Sequence, residues 1–287
     1  VTTAIVTDST AYLPVGALVG LPVHVVPLHV VIGGREHREG LDVGADEVAS
    51  ALRSFTPVST SRPAPGAFLE AYEEAARAGA DSVVSVHISG ELSSTVGGAG
   101  LAAEDSPVPV TVVDSRALGM VMGHAVLAGA RLAQEGGSME AVADLVRATC
   151  AGATVVFYVD TLEYLRRGGR IGRAGALVGS ALSIKPILGL REGHIVPLER
   201  VRTSSRAIAR IEEIAVEAAE AALDAGATGV DVAVHHLDSR ERADRLAERL
   251  ASRLPGSPVE VVELGAVVGA HVGPGTLAVA VVPRPAG

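Results

Sequence analysis

The sequence predicts an α/β fold in two domains, an N-terminal doubly wound, largely parallel sheet and a C-terminal mixed or antiparallel sheet with helices. Three observations predict it. Short apolar runs alternate with Ala-rich amphipathic stretches, the pattern of a chain whose strands feed helices. Gly, Ser and Asp turns separate the two kinds of segment. Apolar residues make up 48% of the 287, ample for a core and for a ligand cavity besides.

Thr3 to Thr7 reads as a first strand that ends at Asp8, Ser9 and Thr10. Val23 to Ile32 reads as one extended segment closed by a turn at Gly33 and Gly34, and Pro65 to Arg77 as a helix. Ser82 to His87 and Val110 to Val113 are the next core strands. Helices from Leu118 to Gln134 and from Met139 to Ala148 follow, separated by Gly136 and Gly137. The pattern restarts at Val155 to Val159. Short strands are expected near Lys185 and Ile195, a long helix from Ser204 to Asp224, a strand at Val230 to His235, a helix from Arg240 to Leu254, and strands near Val259 and Leu277. A boundary falls at Cys150 to Thr154, giving domains 1–152 and 153–287 unless the chain crosses back.

Composition excludes several functions. Aromatic residues are 2% with no Trp and the net charge is -9, so base-stacking platforms are scarce and a polyanion is repelled; no nucleic-acid role is expected. Cys150 is the lone cysteine, which rules out an intrachain disulfide and a cysteine-based metal site and suits a cytoplasmic protein. The opening residues lack the basic and apolar regions of a signal peptide, and Pro22, His24, Pro27 and His29 interrupt the apolar stretch after Leu18. No membrane span is expected; contact with a membrane would be peripheral and transient. No GxxxxGK[ST] loop, no GxGxxG after the first strand and no GxSxG elbow is present. The chain is therefore read as lacking its own ATP site, with no cofactor and no metal.

Three hydroxyl clusters stand where strands or extended runs end: Asp8, Ser9, Thr10; Ser59, Thr60, Ser61; and Ser89, Ser93, Ser94, Thr95. Each precedes a helix-like stretch, so helix N-capping accounts for any one of them. Three together at strand ends in an α/β domain suit an anionic ligand equally, because ligands bind there and helix N-termini favour anions. Among nine histidines, His235 and His236 are neighbours in a strand and point to opposite faces, which argues against a shared metal. His87 and His124 lie within apolar runs, as core histidines do. His271 differs, since the surrounding Gly269, Gly273 and Gly275 let backbone approach something closely.

The stretch from Phe157 to Thr203 concentrates Arg166, Arg167, Arg170, Arg173, the chain's only lysine Lys185, Arg200 and Arg202 around two apolar runs. With IVTDSTAYLP near the start, TSRP at Thr60 to Pro63, ISGELSST from Ile88, VVDSRALGMVMG from Val112 and GAHVGPG from Gly269, it resembles the DegV family, whose members include the fatty-acid-binding FakB subunits of bacterial fatty acid kinase. The resemblance implies a two-domain α/β protein with one long-chain fatty acid, such as palmitate, stearate or oleate, enclosed between the domains. It implies that Thr60, Ser61 and Ser93 donate hydrogen bonds to the carboxylate, with His271 beside it. Arg170, Lys185 and Arg202 would hold the head-group region or dock the partner, a FakA-type ATP-binding kinase subunit that makes acyl phosphate for phospholipid synthesis. This chain would then be a carrier with no catalytic residue.

Two departures from the family pattern stand out: Gly90 and Ser94 redistribute a hydroxyl, and Arg62 puts a fixed charge where Gln is common. Two other functions fit the same residues. One is an esterase or other hydrolase using Ser93 with His271; the other is a regulatory protein that binds a small anion.

Overall fold

The protein is seen in a computed structural model that describes residues 2–14, 16–177 and 185–284. Its first half runs β1 (Thr3–Asp8), β2 (Val23–Val26), β3 (His29–Ile32), β4 (Arg35–Arg38), α1 (Ala45–Arg53), β5 (Val58–Ser61), α2 (Pro65–Arg77), β6 (Ser82–His87), α3 (Thr95–Ala103), β7 (Val110–Asp114), α4 (Met120–Gln134) and α5 (Met139–Gly152). Four strands in the order β2-β1-β6-β7 pair in parallel throughout. Their apolar runs are nearly continuous because both faces are covered. Ile5, Val84 and Val86 pack with residues of α4 and α5, while Ala4, Val6 and Val83 pack with residues of α2 and α3. That is the doubly wound sheet expected from the sequence.

The segment Val23 to Ile32 differs from its expectation. It divides at Pro27, whose missing N–H cannot continue a ladder. β2 stays in the parallel sheet, and β3 leaves to form a separate antiparallel sheet in the order β4-β3-β5. Gly33 and Gly34, with φ of 56° and 83°, close the β3–β4 hairpin in a conformation that favours glycine. β4 and β5 carry too little apolar periodicity to be read from sequence, α1 is a further helix not anticipated although Val48, Ala49 and Leu52 mark its buried face, and α5 runs four residues beyond the expected Ala148.

The second half comprises β8 (Thr154–Tyr158), α6 (Glu163–Arg167), β9 (Lys185–Arg191), β10 (His194–Val201), α7 (Ser204–Asp224), β11 (Gly229–His236), α8 (Arg240–Arg253), β12 (Val259–Glu263), α9 (Ala266–Val272) and β13 (Leu277–Arg284). Its sheet has the order β10-β9-β8-β13-β11-β12, antiparallel except for the parallel pair β11–β12. One face carries Val156, Tyr158, Val232, Val234, Leu277, Val279 and Val281, packed under α7 and α8. The other face carries Val155, Phe157, Ala233, His235, Ala278 and Ala280 and turns toward the first half of the chain. β13 states the asymmetry in its sequence: LAVAVV puts Leu and Val on the packed face and alanine at two of the three positions on the other.

α9 ties the two halves together. Its N-terminal amide Val267 N–H donates to the Glu39 carboxylate at 2.8 Å, and Val268 N–H donates to the Tyr12 hydroxyl at 3.3 Å. Glu39 is 5% exposed and also accepts from Ser9, so a side chain from the first half supplies the cap that the α9 sequence lacks. Burial raises the pKa of both Glu39 and Tyr12. Among the described residues no helix is long and apolar enough to cross a membrane, and no group of three or more His, Cys, Asp or Glu could hold a metal ion.

Candidate ligand-binding site

Alanine on the inner face of β13 leaves space that valine on the outer face does not. A cavity of about 220 Å³ fills it, walled by Val155, Phe157, Leu190, Ile195, Ala278 and Ala280 from the sheet and closed by Leu28, Ile88, Leu92 and Leu118 from the first half. A single ordered water needs about 10–15 Å³ on the same measure, so this space asks for a ligand of many heavy atoms. The apolar part of the lining is aliphatic apart from Phe157, as the scarcity of aromatic residues foreshadowed.

Polar groups gather at one region of the wall: Thr60, Ser61, Arg62, Ser93, Ser94, Arg170 and His271. Four separate elements deliver them. Thr60 and Ser61 end β5, where Val58 to Ser61 pairs with β3. Ser93 and Ser94 precede α3, and Ser94, although at the N-cap position, makes no capping hydrogen bond with its side chain. Arg170 follows α6, and His271 sits in the last turn of α9. Neither of these hydroxyl clusters is consumed in capping; α2 begins instead at Pro65 after Ala64. The third cluster behaves otherwise. Asp8 accepts from Thr10 N–H and lies 3.0 Å from His87, Ser9 hydrogen-bonds Glu39, and neither Ser9 nor Thr10 reaches the cavity. Capping and tertiary bracing explain that cluster fully, and His87 is the satisfied core histidine its apolar surroundings suggested.

Local pairings orient the polar end. Thr60 Oγ1 lies 2.8 Å from His271 Nε2, Ser93 Oγ lies 2.8 Å from Thr95 Oγ1, and Ser61 Oγ donates to Glu36 at 2.9 Å. Ser61 therefore divides its attention between the cavity and β4. Arg170 donates from Nε to the Leu92 carbonyl at 3.0 Å and from Nη1 to the Gly168 carbonyl at 2.6 Å. These bonds fix the guanidinium without neutralising it. Arg62 reaches the Ser94 carbonyl at 3.4 Å. The polar end thus carries two guanidiniums beside its neutral hydroxyls, and the Arg62 departure from the family pattern lies in the cavity wall itself.

Burial, and next the charge of Arg170, lower the pKa of His271 to about 4, so the ring is neutral near pH 7. The glycines around it have steric reasons. A Cβ on Gly168 would stand 2.1 Å from His271 Nδ1, and one on Gly273 would stand 2.0 Å from the Tyr164 ring. The double glycine and the GAHVGPG loop, more than a hundred residues apart in sequence, are each cut away to let α6 and α9 meet.

Lys185 and Arg202 lie elsewhere. Lys185 opens β9, pairs in register with Val201, and donates from Nζ to the Asp160 carbonyl at 2.9 Å; exposed Arg202 follows directly after Val201. Both stand at one end of the β9–β10 pair, and neither lines the cavity. Of the apolar run that follows Arg170, Gly172 to Leu177 form a 3₁₀ turn and residues 178–184 lie outside the described residues.

One lining residue escaped the sequence. His235, 4% exposed, faces the cavity from β11 and accepts the Met120 N–H at 3.2 Å, with its pKa lowered to about 4 chiefly by burial. The available signal was strand parity, since His235 shares the inner face with Ala233. No Ser93–His271 pair exists among the described residues; each is hydrogen-bonded to a threonine instead.

Comparison with known proteins adds to this geometry. Residues 2–284 match the model of a family described as "Uncharacterised protein, DegV family". A DegV domain-containing protein of Streptomyces coelicolor is 50% identical over 282 residues, 98% of each chain. A Thermus thermophilus structure described as fatty acid binding of a DegV family protein superposes with a TM-score of 0.91 at 38% identity, covering 99% of this chain and 100% of that one. A Bacillus subtilis structure described as DegV, a fatty acid binding protein, gives 0.89 at 31% identity and covers 99% of both chains.

Proposed function

The chain belongs to the DegV family, and from that premise we propose that it binds one long-chain fatty acid and presents the carboxylate to an ATP-binding kinase subunit for acyl-phosphate formation. The observation that carries the reading is a largely aliphatic cavity whose hydroxyls of Thr60, Ser61, Ser93 and Ser94 and guanidiniums of Arg62 and Arg170 gather in one region with His271. Each buried CH₂ contributes about 0.8 kcal/mol, so a tail of about fifteen carbons gains on the order of 12 kcal/mol before ordering costs. Burial of the tail would dominate affinity. Hydroxyls of Thr60, Ser61 and Ser93 would decide which end is presented, each hydrogen bond to the charged group being worth about 1.5–3 kcal/mol.

Neutral His271 beside Thr60 suits a carboxylate that must remain a nucleophile, because it can donate one hydrogen bond without holding a full counter-charge. The guanidiniums of Arg62 and Arg170, which make no ion pair among the described residues, favour the anion over the protonated acid at the same place. Lys185 and Arg202, set apart from the cavity, suit contact with a negatively charged partner. The two solved relatives described as fatty acid binding lend the ligand class its support. We also divide the chain at 150–154 into domains 1–152 and 153–287 with the acid between them, and place it in the cytoplasm as a carrier without chemistry of its own.

The deciding experiment is mass spectrometry of protein purified from a bacterial host. About one fatty acid per chain is expected, exchangeable for added palmitate or oleate. Protein without lipid that takes up neither acid would end this reading.

A further inference from the structure

One buried carboxylate connects walls of the acyl cavity that belong to opposite halves of the chain. Glu39 does not line that cavity, yet it accepts from three donors: the Ser9 hydroxyl, the Tyr12 hydroxyl at 3.3 Å and Val267 N–H at 2.8 Å. Each of these leads to the cavity. Ser9 Oγ accepts from Leu28 N–H at 3.0 Å, and the Tyr12 oxygen accepts from Val268 N–H at 3.3 Å. Leu28, Val267 and Val268 all line the cavity, so one side chain outside it holds three residues of its wall, two of them through a hydroxyl. The first hydroxyl cluster, which stays out of the cavity, acts on it at one remove through Ser9.

α9 depends on this anchor. Ala266, Val267 and Ala270 seat it among Leu28, Val48 and Leu52 of the first half, and two alanines on one stripe give that face little relief against sliding along the helix axis. Gly265 at the N-cap has no side chain to offer. Among the described residues, the Val267 and Val268 amides of the first turn find their partners only in Glu39 and Tyr12. His271 stands four residues beyond Val267, about 6 Å along the axis, and its Nε2 lies 2.8 Å from Thr60 Oγ1. A slip of one residue, about 1.5 Å, would break that contact, because hydrogen-bond distances span only about 0.5 Å.

We propose that Glu39 is a positioning residue for the fatty-acid head group: by capping α9 from the other half of the chain it sets His271 against Thr60, and so fixes the carboxylate end of the ligand. The inference rests on the fatty-acid reading above and extends its head-group site to a residue that touches no ligand. The node calls for a carboxylate. Three donors converge on its two oxygens, and an amide in its place would turn an NH₂ group toward at least one of them. Its surroundings are equally exacting, since a Cβ on Gly265 would collide with Glu39 Oε1 and stand 2.5 Å from the Tyr12 ring.

The test compares binding of palmitate with binding of methyl palmitate, which keeps the tail and lacks the charged group. The unaltered protein should prefer palmitate by about 10-fold or more. In Glu39→Gln that preference is expected to fall to about 3-fold, with methyl palmitate held within about 2-fold of its original affinity. The ¹⁵N resonances of the His271 ring should move at the same time, reporting loss of the Thr60 contact. In a Thr60→Ala background Glu39→Gln should change the preference no further, because a residue acting through the His271–Thr60 pair then has nothing left to displace. Gly265→Ala, which displaces the carboxylate without removing its charge, should give the same readings and decides the matter if Glu39→Gln does not fold. Full preference for palmitate in these variants, an equal loss for both ligands, or a loss that recurs undiminished in Thr60→Ala overturns the proposal. Failure of both ligands to bind the unaltered protein overturns the fatty-acid reading, and this inference with it.

Discussion

The two large sheets of this protein use the same apolar residue types to opposite ends. In the four-stranded parallel sheet both faces are packed under helices, and β1 and β6 bury every side chain. In the six-stranded sheet the face under α7 and α8 is filled; on the other, Ala233 and Ala280 pack with Met120 and Val121 while Ala278 and Ala280 border the cavity, where the first face presents Val232, Val279 and Val281. A difference of two methyl groups per position, repeated along one strand, separates a core from a cavity. The comparison teaches that ligand capacity is set here by strand parity, with no dedicated pocket-forming element.

The largest effect should come from erasing that asymmetry. Ala278→Leu extends into the cavity and is expected to abolish or severely reduce palmitate uptake, read by lipid mass spectrometry, with a smaller loss of thermal stability than a core substitution causes. Its neighbour on the packed face should do the reverse. Val279→Ala is expected to cost about 2–3 kcal/mol of unfolding free energy by denaturant titration, with uptake retained. If both variants affect the same property, the two faces are not functionally separate.

At the polar end the expected effects are smaller. Thr60→Ala with Ser93→Ala should reduce acyl-phosphate production by a reconstituted kinase pair by tenfold or more and weaken lipid binding less, because the tail supplies most of the affinity. Unchanged phosphorylation would remove both residues from the head-group site. Gly168→Ala should mimic part of this loss by displacing His271, and a crystal structure of the variant should show the ring moved off Thr60.

A separate effect is one of pH. His235 and His271 have folded pKa values near 4 against an unfolded value of 6.5. Between these limits the unfolded chain binds protons that the folded chain does not, so stability falls as pH drops from about 6.5 toward 4. Denaturation midpoints measured across that window should fall, and His235→Gln should flatten the slope. A slope unchanged in that variant would mean that His235 titrates alike in both states.

Much of this arrangement was legible in the residues. Pro65 to Arg77, Ser82 to His87 and Ser204 to Asp224 form their expected elements with the expected ends, because long or strongly patterned segments reveal themselves locally. The break at Pro27 was signalled by a residue in plain view, although the sheet that β3 joins was not. α9 is seven residues long and capped by Glu39, 228 positions away from Val267, so no local pattern announces it. The polar groups of the cavity were candidates by residue type. Their convergence depends on β5, α3, α6 and α9 meeting, and on the small face of β13, which reads in sequence as an ordinary apolar strand.

β13 also decides when the protein can exist. It lies between β8 and β11, paired with both, although it is the last strand of the sheet to be made. A ribosome that has reached residue 276 has produced β8 and β11 without the strand that joins them, and the cavity has neither its alanine wall nor a closed sheet behind it. The nascent chain therefore exposes two unpaired strand edges until residues 277–284 emerge, a state open to mispairing, and that strand closes the sheet behind the cavity.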